Sequence, residues 1–209
     1  MLNKHQSKGL LFIVSAPSGA GKTSLIRELI KTREDLQLSI SHTTRKSRKE
    51  EKHGEDYFFV SQQLFSEMEN RNEFLETATV FGNKYGTNKN TIRQTLDSGR
   101  SIVLDIDWQG ARKLKKSRYD SISIFILPPS LKTLNERLRK RGDDPDEIEG
   151  RMQKAIQEIS HYHEYDYVIT NEQFGDSIRI INSIVTSSFY CLNLQKDKLD
   201  QFVSEIIEN

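Results

Sequence analysis

The sequence has little of several residue types that would mark a secreted, membrane or broadly nucleic-acid-binding protein. It contains one cysteine among 209 residues, so no disulfide can form within the chain and we expect a cytoplasmic location. Lys and Arg number 31 against 30 Asp and Glu, a net charge of +1, which argues against a nucleic-acid partner held by a broad basic surface. No apolar run approaches the ~20 residues that cross a bilayer, so we expect no membrane partner.

The length and the hydrophobic pattern predict an α/β fold. A chain of 209 residues can form one α/β domain with small inserted lobes. Four short apolar runs, at residues 10–14, 102–106, 122–127 and 167–170, are typical of buried parallel strands. Helical patterns lie between them, which predicts a central parallel sheet flanked by helices. Residues 195–209 are amphipathic and predict a closing helix.

A different pattern covers residues 38–87, which we call the β-rich lobe. This stretch is rich in Thr, Tyr and Phe, and its β-like segments surround one helical segment at residues 62–71. A β-rich insertion in an α/β chain suggests a separate lobe. We therefore predict a core made of residues 1–37 and 88–209, with the β-rich lobe inserted between the two parts.

The most informative motif is APSGAGKT at residues 16–23, the P-loop. An apolar strand pattern precedes it and a helical pattern follows, as in phosphate-binding loops. Glycines let several backbone N–H groups converge on one anion, Lys22 can reach the β- and γ-phosphates, and Thr23 can bind Mg²⁺. Ala16 replaces the first glycine of the usual pattern, which is harmless only if its φ is negative. The motif predicts binding of a nucleoside triphosphate; the alternative is a glycine-rich turn with an exposed lysine.

Two segments of the β-rich lobe suggest a second ligand. Arg45 and Arg48, beside hydroxyl groups and Tyr57, suit a phosphate dianion because guanidinium groups bind it in bidentate fashion. Glu76, near Tyr85, can accept the N1–H and N2–H₂ groups of guanine, a donor pair that adenine lacks. The alternatives are a solvated charged loop for the arginines and a surface position for the glutamate.

Acidic and basic side chains elsewhere complete the candidate site. Asp105 ends a buried run, where an acidic residue orients Mg²⁺, and Asp107 would project to the same side if the strand continued. Arg137 and Arg141 share one face of a helix, with Arg151 beyond the next turn, and they can stabilise charge on a transferring group. The alternative for these arginines is ordinary surface ion pairing.

Two further residue types are interpreted as structural. His161 and His163 diverge on a helix and have no cysteine or third histidine nearby, so we expect no zinc site. Cys191 lies in a C-terminal helical pattern and is expected to be a buried packing residue.

Together these segments resemble the guanylate kinase family, in its bacterial form. The resemblance rests on APSGAGKT, SHTTRKSR with GEDY, FLETATVFGNKYGT, VLDIDWQG, FILPPS and RLRKRG, and covers nearly the whole chain. It implies a P-loop NTPase core with a hinged GMP lobe and a small helical lid at about residues 136–150. Ser47 and Lys84 stand where the family often has a proline and an aromatic residue. These departures remove no group that the chemistry needs.

The resemblance also implies roles for individual residues. The ATP-binding set is Ala16, Pro17, Ser18, Gly19, Ala20, Gly21, Lys22, Thr23 and Asn171. The GMP-binding set is Ser41, Arg45, Arg48, Tyr57, Glu76, Tyr85, Thr87 and Asp107. Thr23 and Asp105 would hold Mg²⁺, with Asp105 acting directly or through water. The implied catalytic residues are Lys22, Arg45, Arg137, Arg141 and Arg151.

The implied reaction is ATP + GMP → ADP + GDP, with dGMP as a further acceptor. Two other functions are consistent with parts of the pattern. One is a kinase of the same scaffold that phosphorylates a sugar phosphate, although such a substrate has no guanine edge for Glu76. The other is a non-catalytic guanylate-kinase-like binding module, although Lys22, Thr23 and Asp105 are all present. The oligomeric state is not readable from the sequence.

Overall fold

Two sheets organise the chain in the computed structural model, which describes residues 9–117, 119–140 and 145–208. In chain order the strands are β1 (Leu11–Ser15), β2 (Leu36–Leu38), β3 (His42–Thr43), β4 (Phe58–Phe59), β5 (Phe74–Val80), β6 (Asn83–Asn88), β7 (Ser101–Asp105), β8 (Ser121–Leu127) and β9 (Tyr167–Thr170). Five of them form a parallel sheet in the order β2-β7-β1-β8-β9, and four form a second sheet in the order β4-β3-β6-β5. The predicted α/β class with a central parallel sheet is confirmed.

Helices connect the strands and cover both faces of the parallel sheet. They are α1 (Lys22–Lys31), α2 (Gln62–Asn70), α3 (Lys89–Asp97), α4 (Trp108–Lys115), α5 (Leu131–Lys140), α6 (Pro145–Ser160), α7 (Phe174–Ser188) and α8 (Leu192–Glu208), with a short 3-10 helix at Tyr162–Glu164. Within the described ranges, no helix is both long and apolar enough to cross a membrane.

Alternation along β1 divides the core into two layers. Phe12 and Val14 pack with apolar side chains of α1 and α7 on one face of the sheet. Leu11 and Ile13 pack with side chains of α3 and α4 on the other. Because β1 is central and its neighbours β7 and β8 are reached by different crossovers, a crevice opens at the carboxyl ends of these strands, where ligands bind in such sheets.

The predicted lobe has its own sheet and its own small core. Strands β5 and β6 form an antiparallel hairpin, β6 pairs with β3, and β3 runs parallel to β4. Helix α2 packs on this sheet through Phe65 and Met68, which meet Phe74 of β5. The helix predicted at residues 62–71 is therefore confirmed as α2.

Two strands differ from the sequence prediction. The pattern missed β2, whose three residues are too few to show a period, yet Leu38 at its end pairs with Val103 in the central sheet. Leu38 thus belongs to the core sheet rather than the lobe. The run at 167–170 was predicted as buried, but β9 is an edge strand on which Tyr167 and Val168 are about two-fifths exposed, at 39% and 41%.

Candidate active site

The P-loop connects the end of β1 to the start of α1 and bends at two glycines. Gly19 and Gly21 have φ of 91° and 100°, a region that residues with a Cβ rarely adopt. Among the described residues only Asn72 and Phe81 have positive φ without being glycine. Ala16 therefore lies in ordinary backbone space, and the condition under which alanine is harmless there is met.

Lys22 and Thr23, the first two residues of α1, face an acidic residue at the end of β7. The Lys22 Nζ atom lies 2.5 Å from Asp105 Oδ1 and donates to the Ile106 carbonyl at 3.2 Å. Burial by itself lowers the pKa of Lys22, but the Asp105 carboxylate outweighs it and the pKa is raised above its usual value. Thr23 Oγ1 is 3.4 Å from Asp105 Oδ2. A cation, a hydroxyl and a carboxylate thus meet beside the helix N-terminus.

The side chain of Asn171 holds the P-loop rather than facing the cleft. Its Nδ2 atom donates to the Ala20 carbonyl at 2.8 Å, and its Oδ1 accepts from Ser177 Oγ at 3.0 Å. Arg137 donates to the same Ala20 carbonyl and to the Asn171 carbonyl, both at 3.2 Å. Because Asn171 is only 4% exposed and both of its polar atoms are bonded, it supports the loop from behind.

The two arginines of the β-rich lobe converge on one carboxylate, that of Glu51. Arg45 Nη2 donates to Glu51 Oε1 at 2.8 Å, and the backbone N–H of Arg48 donates to Oε2 at 2.8 Å. Burial alone would raise the pKa of Glu51, but these hydrogen bonds hold it below its usual range. The Arg45 guanidinium also lies 5.4 Å from the centre of the Tyr57 ring. Tyr57 is in turn in edge contact with Tyr85 at 5.9 Å.

Glu76 is a buried carboxylate at the other wall of the lobe, with 5% of its surface exposed. The hydroxyl of Thr87 donates to Glu76 Oε1 at 2.6 Å. Burial raises the pKa of Glu76 to about 7, despite the opposing hydrogen bond from Thr87. Gly110 of α4 lies against the second oxygen: a Cβ at that position would be 2.7 Å from Glu76 Oε2.

Asp107 does not continue strand β7, so the condition under which it would project to the same side as Asp105 is not met. Strand β7 ends at Asp105, and Asp107 is the N-cap of α4, where its carboxylate accepts the backbone N–H of Gly110 at 3.0 Å. An aspartate just beyond a strand end also suits a helix N-cap, so the sequence pattern alone does not distinguish the two placements. Both carboxylates nevertheless reach the same cleft.

One cleft of about 1590 Å³ lies between the parallel sheet and the β-rich lobe. Most of the predicted site residues line it: Ala16, Pro17, Ser18, Gly19, Gly21, Lys22, Thr23, Ser41, Arg45, Arg48, Tyr57, Glu76, Tyr85, Asp105, Asp107, Arg137 and Arg151. Three predicted residues lie behind that lining, namely Ala20, Thr87 and Asn171. Arg141, and with it the middle of the predicted lid, lies outside the described residues.

Comparison with known proteins identifies the family. A family model described as guanylate kinase matches residues 8–188. The chain belongs to the guanylate kinase family. It is 48% identical over 204 residues to the guanylate kinase of Escherichia coli (strain K12), covering 96% of this chain and 99% of that protein. It is 47% identical over 203 residues to that of Photorhabdus laumondii, with coverage of 96% and 98%.

A solved guanylate kinase structure supports the same assignment. The crystal structure of guanylate kinase from Anaplasma phagocytophilum matches with a TM-score of 0.72 and 38% identity, covering 87% of each chain. The known reaction of the guanylate kinase family is transfer of a phosphoryl group from ATP to GMP. The family and the activity class predicted from the sequence are confirmed.

Sequence reasoning missed two carboxylates of this guanylate kinase cleft. Glu51 stands in RKSRKEEK, whose composition resembles a solvated loop, and only the spacing of three residues from Arg48 hinted at a pair. Glu158 of α6 lines the cleft and is 8% exposed. Burial raises its pKa, and the nearby cations of Lys22 and Lys154 oppose that rise. Nothing in the helical pattern around Glu158 marks it as buried.

Two residues interpreted as structural are placed differently from one another. His161 stacks on Trp108 at 3.8 Å, and its Nδ1 lies 2.7 Å from Glu164 Oε1. Its ring is thus engaged by neighbouring side chains. Cys191, however, is exposed between α7 and α8, so the prediction of a buried packing residue was wrong. The helical pattern is interrupted at this residue, which moves its side chain outside the packed face.

The P-loop geometry predicts that two single substitutions differ in their effect on KM for ATP. Ala16→Gly restores the usual residue at a position that does not need it, so we expect KM for ATP to change by less than about twofold. Gly21→Ala forces a Cβ to φ of 100° and to 2.5 Å from Asn171 Nδ2, so we expect KM for ATP to rise about tenfold. Steady-state kinetics on the two variants checks this; equal effects would contradict the described loop.

Proposed function

We propose that this chain transfers the γ-phosphoryl group of ATP to GMP and to dGMP, giving ADP and GDP or dGDP. One observation carries the proposal: the P-loop lysine, Lys22, and a buried carboxylate of the β-rich lobe, Glu76, line the same cleft. A nucleotide kinase needs a donor site and an acceptor site in one cleft, because the γ-phosphate of ATP and the phosphate of GMP must meet in line.

In this proposal the P-loop binds the triphosphate and the β-rich lobe binds the acceptor. Backbone N–H groups of residues 16–23 surround the β-phosphate, with Asn171 keeping the loop in shape from behind. Arg45, Arg48, Tyr57 and Tyr85 hold the GMP phosphate, which displaces the Glu51 carboxylate from part of its contact with the arginines. Ser41, Glu76, Thr87 and Asp107 recognise the base, Thr87 by orienting Glu76.

The chemistry requires alignment and charge neutralisation rather than a general base. The acceptor phosphate has a second pKa of about 6 and is mostly ionised at neutral pH. Lys22, Arg45, Arg137, Arg141 and Arg151 supply positive charge to the transferring group. The oxygens of Thr23 and Asp105, 3.4 Å apart, are the hard donors that Mg²⁺ prefers. When bound there, Mg²⁺ supplies further charge neutralisation at the ATP phosphates.

We extend the proposal to the organisation of the chain. Residues 1–37 and 88–209 form the ATP-binding core, residues 38–87 except Leu38 the GMP-binding lobe, and residues at about 136–150 the lid. We assign Leu38 to the core because it ends β2, which pairs with β7 in the central sheet. Closing the lobe on the core would exclude water and limit ATP hydrolysis when GMP is absent.

A coupled assay of ADP production with ATP, Mg²⁺ and each nucleoside monophosphate in turn tests the proposal. We expect turnover with GMP and dGMP and little with AMP, CMP or UMP. If the protein binds ATP but produces no ADP with any nucleoside monophosphate, the result would favour a kinase that phosphorylates a sugar phosphate. If the protein neither binds ATP nor produces ADP, the result would favour a non-catalytic binding module.

Gly110 offers a test of the base-reading end of the cleft. Ala is favoured over Gly in a helix by about 1 kcal/mol, so Gly110→Ala should not weaken α4. Its new methyl group would instead displace the Glu76 carboxylate. Overpacking costs about 1–3 kcal/mol, and a loss of about 1.4 kcal/mol in GMP binding would raise KM for GMP about tenfold. Gly175→Ala in α7 meets no atom within 4 Å and should leave KM unchanged. An unchanged KM in both variants would contradict the placement of Glu76.

The raised pKa of Glu76 predicts a pH dependence of GMP binding. Guanine donates a pair of hydrogen bonds, and only the ionised carboxylate offers an acceptor oxygen to each of them. Protonation, with a pKa of about 7, turns one of the two oxygens into a donor. The dissociation constant for GMP should therefore rise as pH falls from 8 to 6, approaching about tenfold per unit. Calorimetry of GMP binding across this range checks the slope. For Glu76→Gln, the dissociation constant for GMP should not change with pH above pH 6.5, where the GMP phosphate remains mostly ionised.

A further inference from the structure

The tip of the β5–β6 hairpin carries a residue that its turn does not favour. Val80 pairs directly with Asn83, so Phe81 and Gly82 form a two-residue loop. Their φ values of 49° and 74° follow the pattern of a type I′ turn, in which Asn, Asp and Gly are strongly preferred at both positions. An aromatic residue with positive φ is uncommon, and the ring is 50% exposed. Neither the turn nor burial accounts for a phenylalanine here.

The exposed ring has partners on the opposite wall of the cleft. The Arg151 guanidinium lies 5.2 Å from the centre of the Phe81 ring, and Lys154 Nζ lies 4.2 Å from it. Both cations come from one face of α6, three residues apart. Distances within about 6 Å are those of cation–π pairs, which each change an equilibrium by about 2- to 30-fold, depending on their exposure. The hairpin tip thus contacts the core through two cations.

The same hairpin and the same helix hold residues of both substrate ends. Strands β5 and β6 carry Glu76, Tyr85 and Thr87, and α6 carries Arg151 and also Glu158, which lies near Lys22. A shift of the hairpin on binding an acceptor base therefore moves the ring that faces Arg151. Because a two-residue turn is short and its ends are paired, the tip follows the strands closely.

We propose that Phe81 is a positioning residue that holds Arg151 over the cleft and so links acceptor binding in the β-rich lobe to the arginine that stabilises transfer. This inference rests on the proposed function. It explains why a turn position suited to asparagine holds an aromatic side chain: the ring acts on Arg151, and the turn tolerates it. It also links acceptor binding to the donor side, because the hairpin that carries Glu76 carries the ring that contacts Arg151.

Phe81→Asn separates the ring from the turn. Asn–Gly is a favoured pair for this turn, so the variant keeps the hairpin and should unfold at a temperature no lower than the wild type. We expect its kcat to fall about tenfold, within the range for loss of two cation–π contacts, with KM for ATP and GMP within about threefold. Phe81→Tyr keeps the ring and should retain kcat. Phe202→Asn, at a comparably exposed phenylalanine (54%) on α8, is the matched control and should also retain it.

A double-mutant cycle in the Arg151→Met background identifies the partner. If Phe81 acts through Arg151, Phe81→Asn causes little further loss of kcat when the arginine is already absent. A full tenfold loss in that background, a wild-type kcat for Phe81→Asn alone, or an equal defect in Phe81→Tyr would each overturn the inference.

The contact can also be tested without turnover. Denaturant unfolding of the free protein, with Phe81→Asn and Arg151→Met alone and together, should give a non-zero coupling, and strict additivity would overturn the inference. Wild-type assays with GMP come first. Absence of turnover there refutes the proposed function, whereas wild-type turnover with additive Phe81 and Arg151 variants refutes only the role of Phe81.

Discussion

Lys22→Ala is expected to lose about 10³-fold in kcat/KM, about 4 kcal/mol of transition-state stabilisation, while the protein remains folded. The loss is large because Lys22 is the P-loop cation, held at the mouth of the loop by Asp105 at 2.5 Å and by the Ile106 carbonyl. Without it, the charge that develops on the transferring phosphoryl group meets the Asp105 carboxylate with less to neutralise it. Initial rates with ATP and GMP, together with circular dichroism of the variant, measure the two parts of this expectation.

The matched control lies on the same helix. Lys31 at the end of α1 has a side chain that is 73% exposed and pairs with Glu28 at 3.4 Å, a surface contact that contributes little. Lys31→Ala should keep kcat/KM within about twofold, as surface substitutions do. Near-normal activity of Lys22→Ala would refute the assignment of the P-loop, whatever the control shows. Unfolding of Lys22→Ala would shift the test to Lys22→Met, which preserves the aliphatic part of the side chain.

Most of the fold and most of the site residues could be predicted from local sequence because the patterns that specify them span only a few neighbouring residues. The P-loop is set by adjacent glycines and by the strand and helix that flank it, so its geometry follows from residues 10–24 alone. The apolar runs predicted four of the five strands of the central sheet. What failed depended on contacts distant in sequence: β2 forms because Leu38 pairs with Val103, and β9 is exposed because, among the described residues, no strand pairs with its outer edge.

The parts of the site that sequence reasoning missed, or named without placing, are governed by partners rather than by motifs. Glu51 acquires its role only because Arg45 folds back onto it, and a charge run does not reveal which of its members pair. Asn171 is placed behind the P-loop because the ends of β8 and β9 meet beside Ala20, a meeting that no local pattern encodes. Asp107 satisfied two templates, strand and helix N-cap, and the backbone of α4 decided between them.

Glu76→Gln is expected to reduce kcat/KM for GMP by about 10²- to 10³-fold and to leave ATP binding unchanged. The orientation of the new amide follows from Thr87, whose hydroxyl donates to Glu76 Oε1 at 2.6 Å. Gln offers one acceptor oxygen, and the hydrogen bond from Thr87 orients that oxygen toward Thr87, so the amide NH₂ group takes the place of the second carboxylate oxygen and faces the ligand. Guanine presents N–H donors at that edge, and a donor facing donors leaves buried polar groups unpaired.

Selectivity distinguishes this explanation from general damage to the lobe. The amide no longer favours a base that presents hydrogen-bond donors, so the preference of Glu76→Gln for GMP over AMP should shrink. A damaged lobe would instead lower the activity with GMP and with AMP by the same factor. Glu69→Gln is the control, because Glu69 is a surface carboxylate of the same lobe that pairs with Lys84 at 2.9 Å; it should change neither rate nor selectivity. Retention of the full GMP preference by Glu76→Gln would remove guanine recognition from Glu76. The buried carboxylate would then be a structural partner of Thr87, and the result would favour the alternative of a kinase that phosphorylates a sugar phosphate.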